Sequence, residues 1–307
     1  MSNFNVPILA VLVASALSLS ACGGGGGSGD TPTVNLTIPF QAVANGVSVN
    51  CAATLPTLGN TGDSGKVSDF AFYVHGVKLK TNIGETIDVT LTDNNFQDPQ
   101  YGVALLDFQD KTDACQGATK PINTSIAGSA KVDLSRVNGI EFIVGVPAAA
   151  NHHNASTSRA PYNRAGLMWS WQSGHKFMRL DVNPSQKVTK ADLTQVSTFN
   201  FHLGSTGCTG DPTTGQVVSC TAPNRKTISL TTDFSANSTT NTTSKIVLDY
   251  GKLIAGVNIN LETGGAVGCM SGTTDPECPT MFSNLGMAHP LQAGAAASQQ
   301  VFSVSNQ

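Results

Sequence analysis

Val34-Asn35-Leu36-Thr37-Ile38-Pro39-Phe40, then Asn45-Gly46, then Val47-Ser48-Val49, is the stretch whose reading decides the fold. Val34, Leu36, Ile38 and Phe40 recur every second residue, so they line one face of a strand, because successive side chains in extended backbone point to opposite faces. Asn-Gly accepts the left-handed backbone of a tight two-residue turn and so predicts a hairpin into Val47-Ser48-Val49. The same period of two continues outward through Phe70, Phe72 and Val74, and through Ile87, Val89 and Leu91. Further strands are expected near Gly102–Phe108, Ile140–Val146, Lys176–Val182, Phe199–Leu203, Thr227–Leu230 and Lys245–Tyr250. No segment carries a sustained helical stripe, although Lys190–Gln195 and Asp275–Leu285 have room for single helical turns. Many short strands joined by Gly-, Asn- and Pro-rich turns predict an all-β chain, an antiparallel β-sandwich or barrel-like domain. Three long irregular stretches, Ala148–Gly166, Gly204–Asn224 and Gly264–Pro290, are expected to gather as functional loops on that scaffold.

The expected domain covers residues 34–307, and two segments of other character precede it. Val6 to Leu19 is an almost unbroken apolar run, shorter than the roughly 20 residues a permanent membrane helix needs, and it suits the core of a signal peptide over residues 1–21. Leu19-Ser20-Ala21-Cys22 resembles the lipobox read by lipoprotein signal peptidase, which makes Cys22 the expected lipidation site. Met1–Asn5 departs from the usual pattern in having no Lys or Arg. Gly23-Gly24-Gly25-Gly26-Gly27-Ser28-Gly29-Asp30 buries nothing, so residues 22–33 read as a flexible tether with a reach of about 16 Å. The expected location is a lipid-anchored protein of the outer membrane, on its periplasmic face; Gly23 in place of Asp favours that membrane by analogy with enteric sorting. Charged residues are only 12% of the chain and net charge is −3 without a basic block, which argues against a nucleic-acid partner.

Of seven cysteines, Cys22 is set aside for lipid, leaving Cys51, Cys115, Cys208, Cys220, Cys269 and Cys278. An even number in an oxidising compartment indicates disulfides, and no CxxC supports thiolate metal ligation instead. Connectivity stays open; short-range Cys208–Cys220 and Cys269–Cys278 pairs would staple loops and leave Cys51–Cys115. Hydrolase signatures are poor: Gly204-Ser205-Thr206-Gly207 is not a GxSxG elbow, and no HExxH is present. Asp93–Asp98 lacks the Gly and Glu of a calcium loop and reads as a turn. More suggestive are His152-His153, Met168-Trp169-Ser170-Trp171, His175, Met178 and His202, since imidazole and thioether suit copper. Trp169 and Trp171 are the only tryptophans, spaced to share a face. Against this stands the ordinary reading, in which paired Trp residues anchor a core and a histidine is a satisfied polar group.

A run of ordered blocks resembles one family. They are Phe70-Ala71-Phe72-Tyr73-Val74, Gly102–Phe108, Gly145-Val146-Pro147, Asn151-His152, Met168-Trp169-Ser170-Trp171-Gln172-Ser173-Gly174, Phe201–Cys208, Pro223-Asn224-Arg225 and Gly268-Cys269-Met270-Ser271-Gly272, with Asp275 and Cys278. These resemble the MbnP family, the metallo-mystery pair four-cysteine proteins named for the member in methanobactin operons, over about Val34 to Leu285. The resemblance implies a periplasmic copper-binding protein, itself no enzyme, made beside a di-haem partner of the MbnH kind, related to MauG-type cytochrome c peroxidases. In that family the partner oxidises a tryptophan to kynurenine. An intact indole has no lone pair for a metal, whereas cleaving its five-membered ring yields an aryl amine and a ketone, and that amine can ligate copper. By this resemblance Trp169 or Trp171 is the modified residue and His152 and His202 are the imidazole ligands. Met168 and Met178 offer soft ligation or core packing, and His175 stands where relatives often carry Tyr. The implied cargo is copper, Cu(I) being one admissible state, with no organic cofactor and a role in copper acquisition or homeostasis. The rival from another class is a surface adhesion or glycan-binding sandwich that uses Trp169 and Trp171 as stacking platforms. A catalyst is the most distant reading, since no nucleophile and base form a coherent set.

Overall fold

In the computed structural model, which describes residues 31–170, 172–211, 214, 216, 218–231, 244–294 and 296–306, the Asn45-Gly46 turn takes the left-handed backbone its sequence invites. Asn45 has φ 49° and Gly46 φ 84°, and Val43 pairs with Ser48 and Ala44 with Val47 across the turn. The expected signal segment 1–21, Cys22, most of the expected tether and Trp171 lie outside the described residues.

Strands make up 46% of the chain and helices 9%, so the fold is all-β. Two sheets supply the layers. The smaller runs in the order Phe302–Asn306, Ser244–Asp249, Thr33–Ala44, Ser125–Lys131, Thr90–Leu91. The larger runs Lys226–Leu230, Val137–Val144, Asp63–Thr81, Gly174–Pro184, Phe199–Gly204, Gly268–Cys269, with shorter strands added along Asp63–Thr81. Most pairings are antiparallel, as expected. Two strand ladders among the described residues are parallel: Phe40–Val43 runs beside Ile246–Asp249, and Asn200–Phe201 beside Gly268–Cys269. Both join segments separated by long excursions, which parallel pairing requires.

The hydrophobic core lies between the sheets. Phe40 of the small sheet meets Phe72 and Phe142 of the large one edge to face, at centroid distances of 6.1 and 5.6 Å. Phe302 meets the same two rings at 6.0 and 5.5 Å. These are the edge-to-face geometries that the ring quadrupole favours. The alternation explains why Phe70-Ala71-Phe72-Tyr73-Val74 is buried at every position. Phe72 points into the sandwich, while Ala71 and Tyr73 turn to the other face and are covered there by the irregular segment that ends at Leu167. The Tyr73 hydroxyl donates to the Pro161 carbonyl at 2.9 Å, which ties that segment to the sheet.

The expected strands form with boundaries shifted by a few residues, except that Ile87–Leu91 divides between Thr86–Asp88 of the large sheet and Thr90–Leu91 of the small one; Tyr250 leaves its strand to open a short helix, Tyr250–Leu253. Within Asp275–Leu285 a helix runs from Cys278 to Asn284, with Pro279 in its first turn where a missing N–H costs nothing. Lys190–Gln195 is not helical but a tight turn between two short paired strands, with Leu193 at φ 65°. Disulfides join Cys51 to Cys115, Cys208 to Cys220 and Cys269 to Cys278.

Candidate metal centre

Asn151 organises the first loop. It closes the short helix Ala148–Asn151, is fully buried, and accepts the His175 N–H on Oδ1 at 3.1 Å. That bond fixes the amide with its NH₂ group toward His152, whose Nε2 lies 3.3 Å from Asn151 Nδ2. An amide nitrogen only donates, so His152 Nε2 is the acceptor and carries the lone pair a metal would need. The same nitrogen is 3.9 Å from Cys220 Sγ. Gly174 makes room for Asn151: its φ is +83°, and a Cβ there would meet Asn151 Nδ2 at 2.5 Å. Only glycine tolerates both the backbone and the approach.

Trp169 rests over Gly204. A Cβ on Gly204 would stand 2.5 Å from Trp169 Cζ3, so the missing side chain is the seat of the indole. The ring is half-buried and lines an open cleft of about 300 Å³ with Gln172, Ser173, Ser205, Cys208 and Met270. Met270 arrives there because Ser271 ties its strand to the next. Ser271 Oγ accepts the Gly204 N–H at 3.1 Å and donates to the His202 carbonyl at 2.9 Å. Met168, on the other side of its short strand, instead accepts the Ala155 N–H on Sδ at 3.4 Å and does not line this cleft.

His202 shares its face of the Phe199–Gly204 strand with Gly204, about 7 Å along, which places it one step from the Trp169 ring. It is buried, and its Nε2 meets Asp181 Oδ1 at 2.8 Å. Asp181 Oδ2 accepts from Arg179 Nε at 2.7 Å, and Arg179 Nη1 lies 3.1 Å from Asp69 Oδ2. Burial pushes the Asp181 carboxyl up, but the His202 and Arg179 contacts outweigh it and hold the group below its ordinary value. In the neutral ring, with Nε2–H donated to the carboxylate, Nδ1 of His202 bears the lone pair. That atom is buried and has no hydrogen-bond partner among the described residues. A carboxylate that orients one ring nitrogen while the other stays open is the usual support of a metal-bound histidine.

His152 and Trp169 thus border one region: Cys208 lines the Trp169 cleft and is bonded to Cys220, which His152 touches, while His202 precedes by two residues the Gly204 that seats the Trp169 ring. The His175 side chain is fully buried between Tyr73 and Tyr162, at 5.7 Å from each ring, and its Nε2 also has no hydrogen-bond partner among the described residues. Met178 is fully buried in the core. His153 packs on Tyr101 and Tyr162, His75 Nδ1 contacts the Gly145 carbonyl and His289 Nε2 the Gly272 carbonyl, so all three have structural partners. Sequence reading missed Asn151 as a pivot, Asp181 as the His202 support and Met270 as a wall of the Trp169 cleft. Each role depends on strand register, which spacing along the chain does not display.

A family model described as MbnP matches residues 33–271. Among solved structures, MbnP from Methylosinus trichosporium is 31% identical, with a TM-score of 0.77, over 90% of this chain and 99% of that one. No curated protein sequence matches the chain.

Proposed function

The chain belongs to the MbnP family and is in that sense a methanobactin-operon-related protein; from this premise we propose that it is a copper-binding lipoprotein whose Trp169 is oxidised to kynurenine by a di-haem, MauG-like partner. Copper would be held by the aryl amine made from Trp169 and by the imidazoles of His202 and His152. When bound, the metal would supply a Lewis acid for these ligand nitrogens.

The observation that carries this reading is His202. Its Nδ1 is a buried nitrogen without a hydrogen-bond partner among the described residues, and its Nε2 is oriented by Asp181. Leaving a buried acceptor unsatisfied costs about 1–3 kcal/mol, and a bound cation removes that cost. The half-exposed Trp169 ring supports the other half of the reading, because a macromolecular oxidant reaches an open cleft directly. The residues fit copper rather than a hard cation, since nitrogen and sulfur donors border the region. Lipidation at Cys22 would hold the protein at the membrane surface where an exported haem partner meets it.

The test is mass spectrometry on protein produced with and without its di-haem partner. The expected outcome is kynurenine at Trp169 and one copper per chain in the co-produced protein only, with copper lost in His202→Ala. An unchanged Trp169 together with saccharide binding that needs the ring but no metal would replace this reading with the glycan-binding one.

A further inference from the structure

The three disulfides differ in accessibility. Cys51, Cys115, Cys269 and Cys278 are buried, at 3% exposure or less. Cys208 and Cys220 are half-exposed. They face each other across a hairpin, Thr206–Thr209 with Ser219–Ala222, whose two strands pair only with one another. A reductant therefore reaches this bridge first, and opening it leaves both main sheets paired. Beside it sits His152, and the two sulfurs and one imidazole nitrogen all lie within 4.8 Å of one another.

We propose that Cys208, Cys220 and His152 form a redox-gated metal site that shares His152 with the copper centre proposed above, closed while the disulfide stands and able to take a thiophilic d¹⁰ cation such as Cu(I) once it is reduced. Opening consumes two electrons and two protons from a dithiol, which becomes a disulfide itself, and leaves a thiol on each cysteine. Metal binding then displaces the two thiol protons, and both thiolates coordinate with His152 Nε2. Three features of the chain fit this. His152 Nε2 stands 3.9 Å from Cys220 Sγ, close to the roughly 3.6 Å that separates two donors on one tetrahedral ion. The Asn151 NH₂ group, fixed by the His175 N–H, holds Nε2 as the unprotonated nitrogen. The cleft on the other side of Cys208 gives the freed sulfur space to move and presents the Met270 thioether. Two thiolates and an imidazole select soft cations over calcium or magnesium. The site needs no kynurenine, so it forms in protein whose Trp169 is intact.

The experiment uses the chain produced without the haem partner and reduced by an immobilised phosphine. Thiol labelling followed by peptide mass spectrometry should find Cys208 and Cys220 free and the other four cysteines bonded. Cd(II) alone is then the probe. The reduced protein should bind one equivalent, with thiolate-to-cadmium charge-transfer absorption, while the oxidised protein shows none. His152→Ala should weaken binding at least roughly tenfold, Cys208→Ser with Cys220→Ser should abolish it, and near-ultraviolet circular dichroism should persist throughout. Reduced protein that takes up no stoichiometric Cd(II), binding that ignores His152→Ala, or loss of the folded signal on reduction would each overturn the proposal. None of these outcomes touches the kynurenine reading, which concerns oxidised, partner-processed protein.

Discussion

Single residues on the outer face of the large sheet make sharp predictions. Burial pushes the His175 imidazole down to about 4, from an ordinary value near 6.5. Between those values the unfolded chain takes up a proton there that the folded chain refuses. The stability due to this group is complete above about pH 6.5 and drains away as pH falls toward about 4, by on the order of 3 kcal/mol. Urea denaturation at a series of pH values checks this, and the slope should flatten in His175→Phe; equal slopes would contradict it. Gly204→Ala forces a methyl into the Trp169 ring and should cost roughly 1–3 kcal/mol, with a shift in Trp169 fluorescence. The residue types of the site were legible in the chain: His152, Trp169 and His202 stand out by chemistry. Their supports were not. Asp181 becomes the partner of His202 only because two strands pair with Asp181 opposite Asn200, and nothing in the spacing of 181 and 202 announces that register.

At the scale of elements, alternation proved readable wherever one face is buried against the other sheet, as in Val34–Phe40. It said less where both faces are covered, as at Phe70–Val74, and nothing about direction, so the two parallel pairings escaped it. Ser125–Lys131 was missed because small residues such as Ala127, Gly128 and Ser129 blur the period. The disulfides separate by the loops they close. Cys51 and Cys115 stand 64 residues apart in a buried setting, so replacing both with Ala should cost about 4 kcal/mol. The Cys208–Cys220 bridge spans 12 residues, and its removal should cost about 3 kcal/mol at most. Because that hairpin pairs only with itself, its loss should leave the main unfolding transition cooperative. Non-reducing guanidinium titrations of the two double variants distinguish the cases.

Over the whole molecule, the described chain from Thr31 onward forms one compact unit around a continuous core. If copper binds this folded unit and not the unfolded chain, free metal at 100 times its dissociation constant adds about 2.7 kcal/mol. Scanning calorimetry of partner-processed protein should therefore show a melting temperature that climbs with copper, and unprocessed protein should show no such climb while its disulfides stay intact. One pairing bears on how the chain reaches this state. Phe40 lies beside Ile246, so the first strand waits for a neighbour made near the end of synthesis. Pairing of that kind is slow, because a large loop must close before any contact rewards it. If the chain is exported as proposed, it crosses the membrane with that edge bare, a template for adhering to other chains, and escort during transit then bears on how much protein a cell obtains.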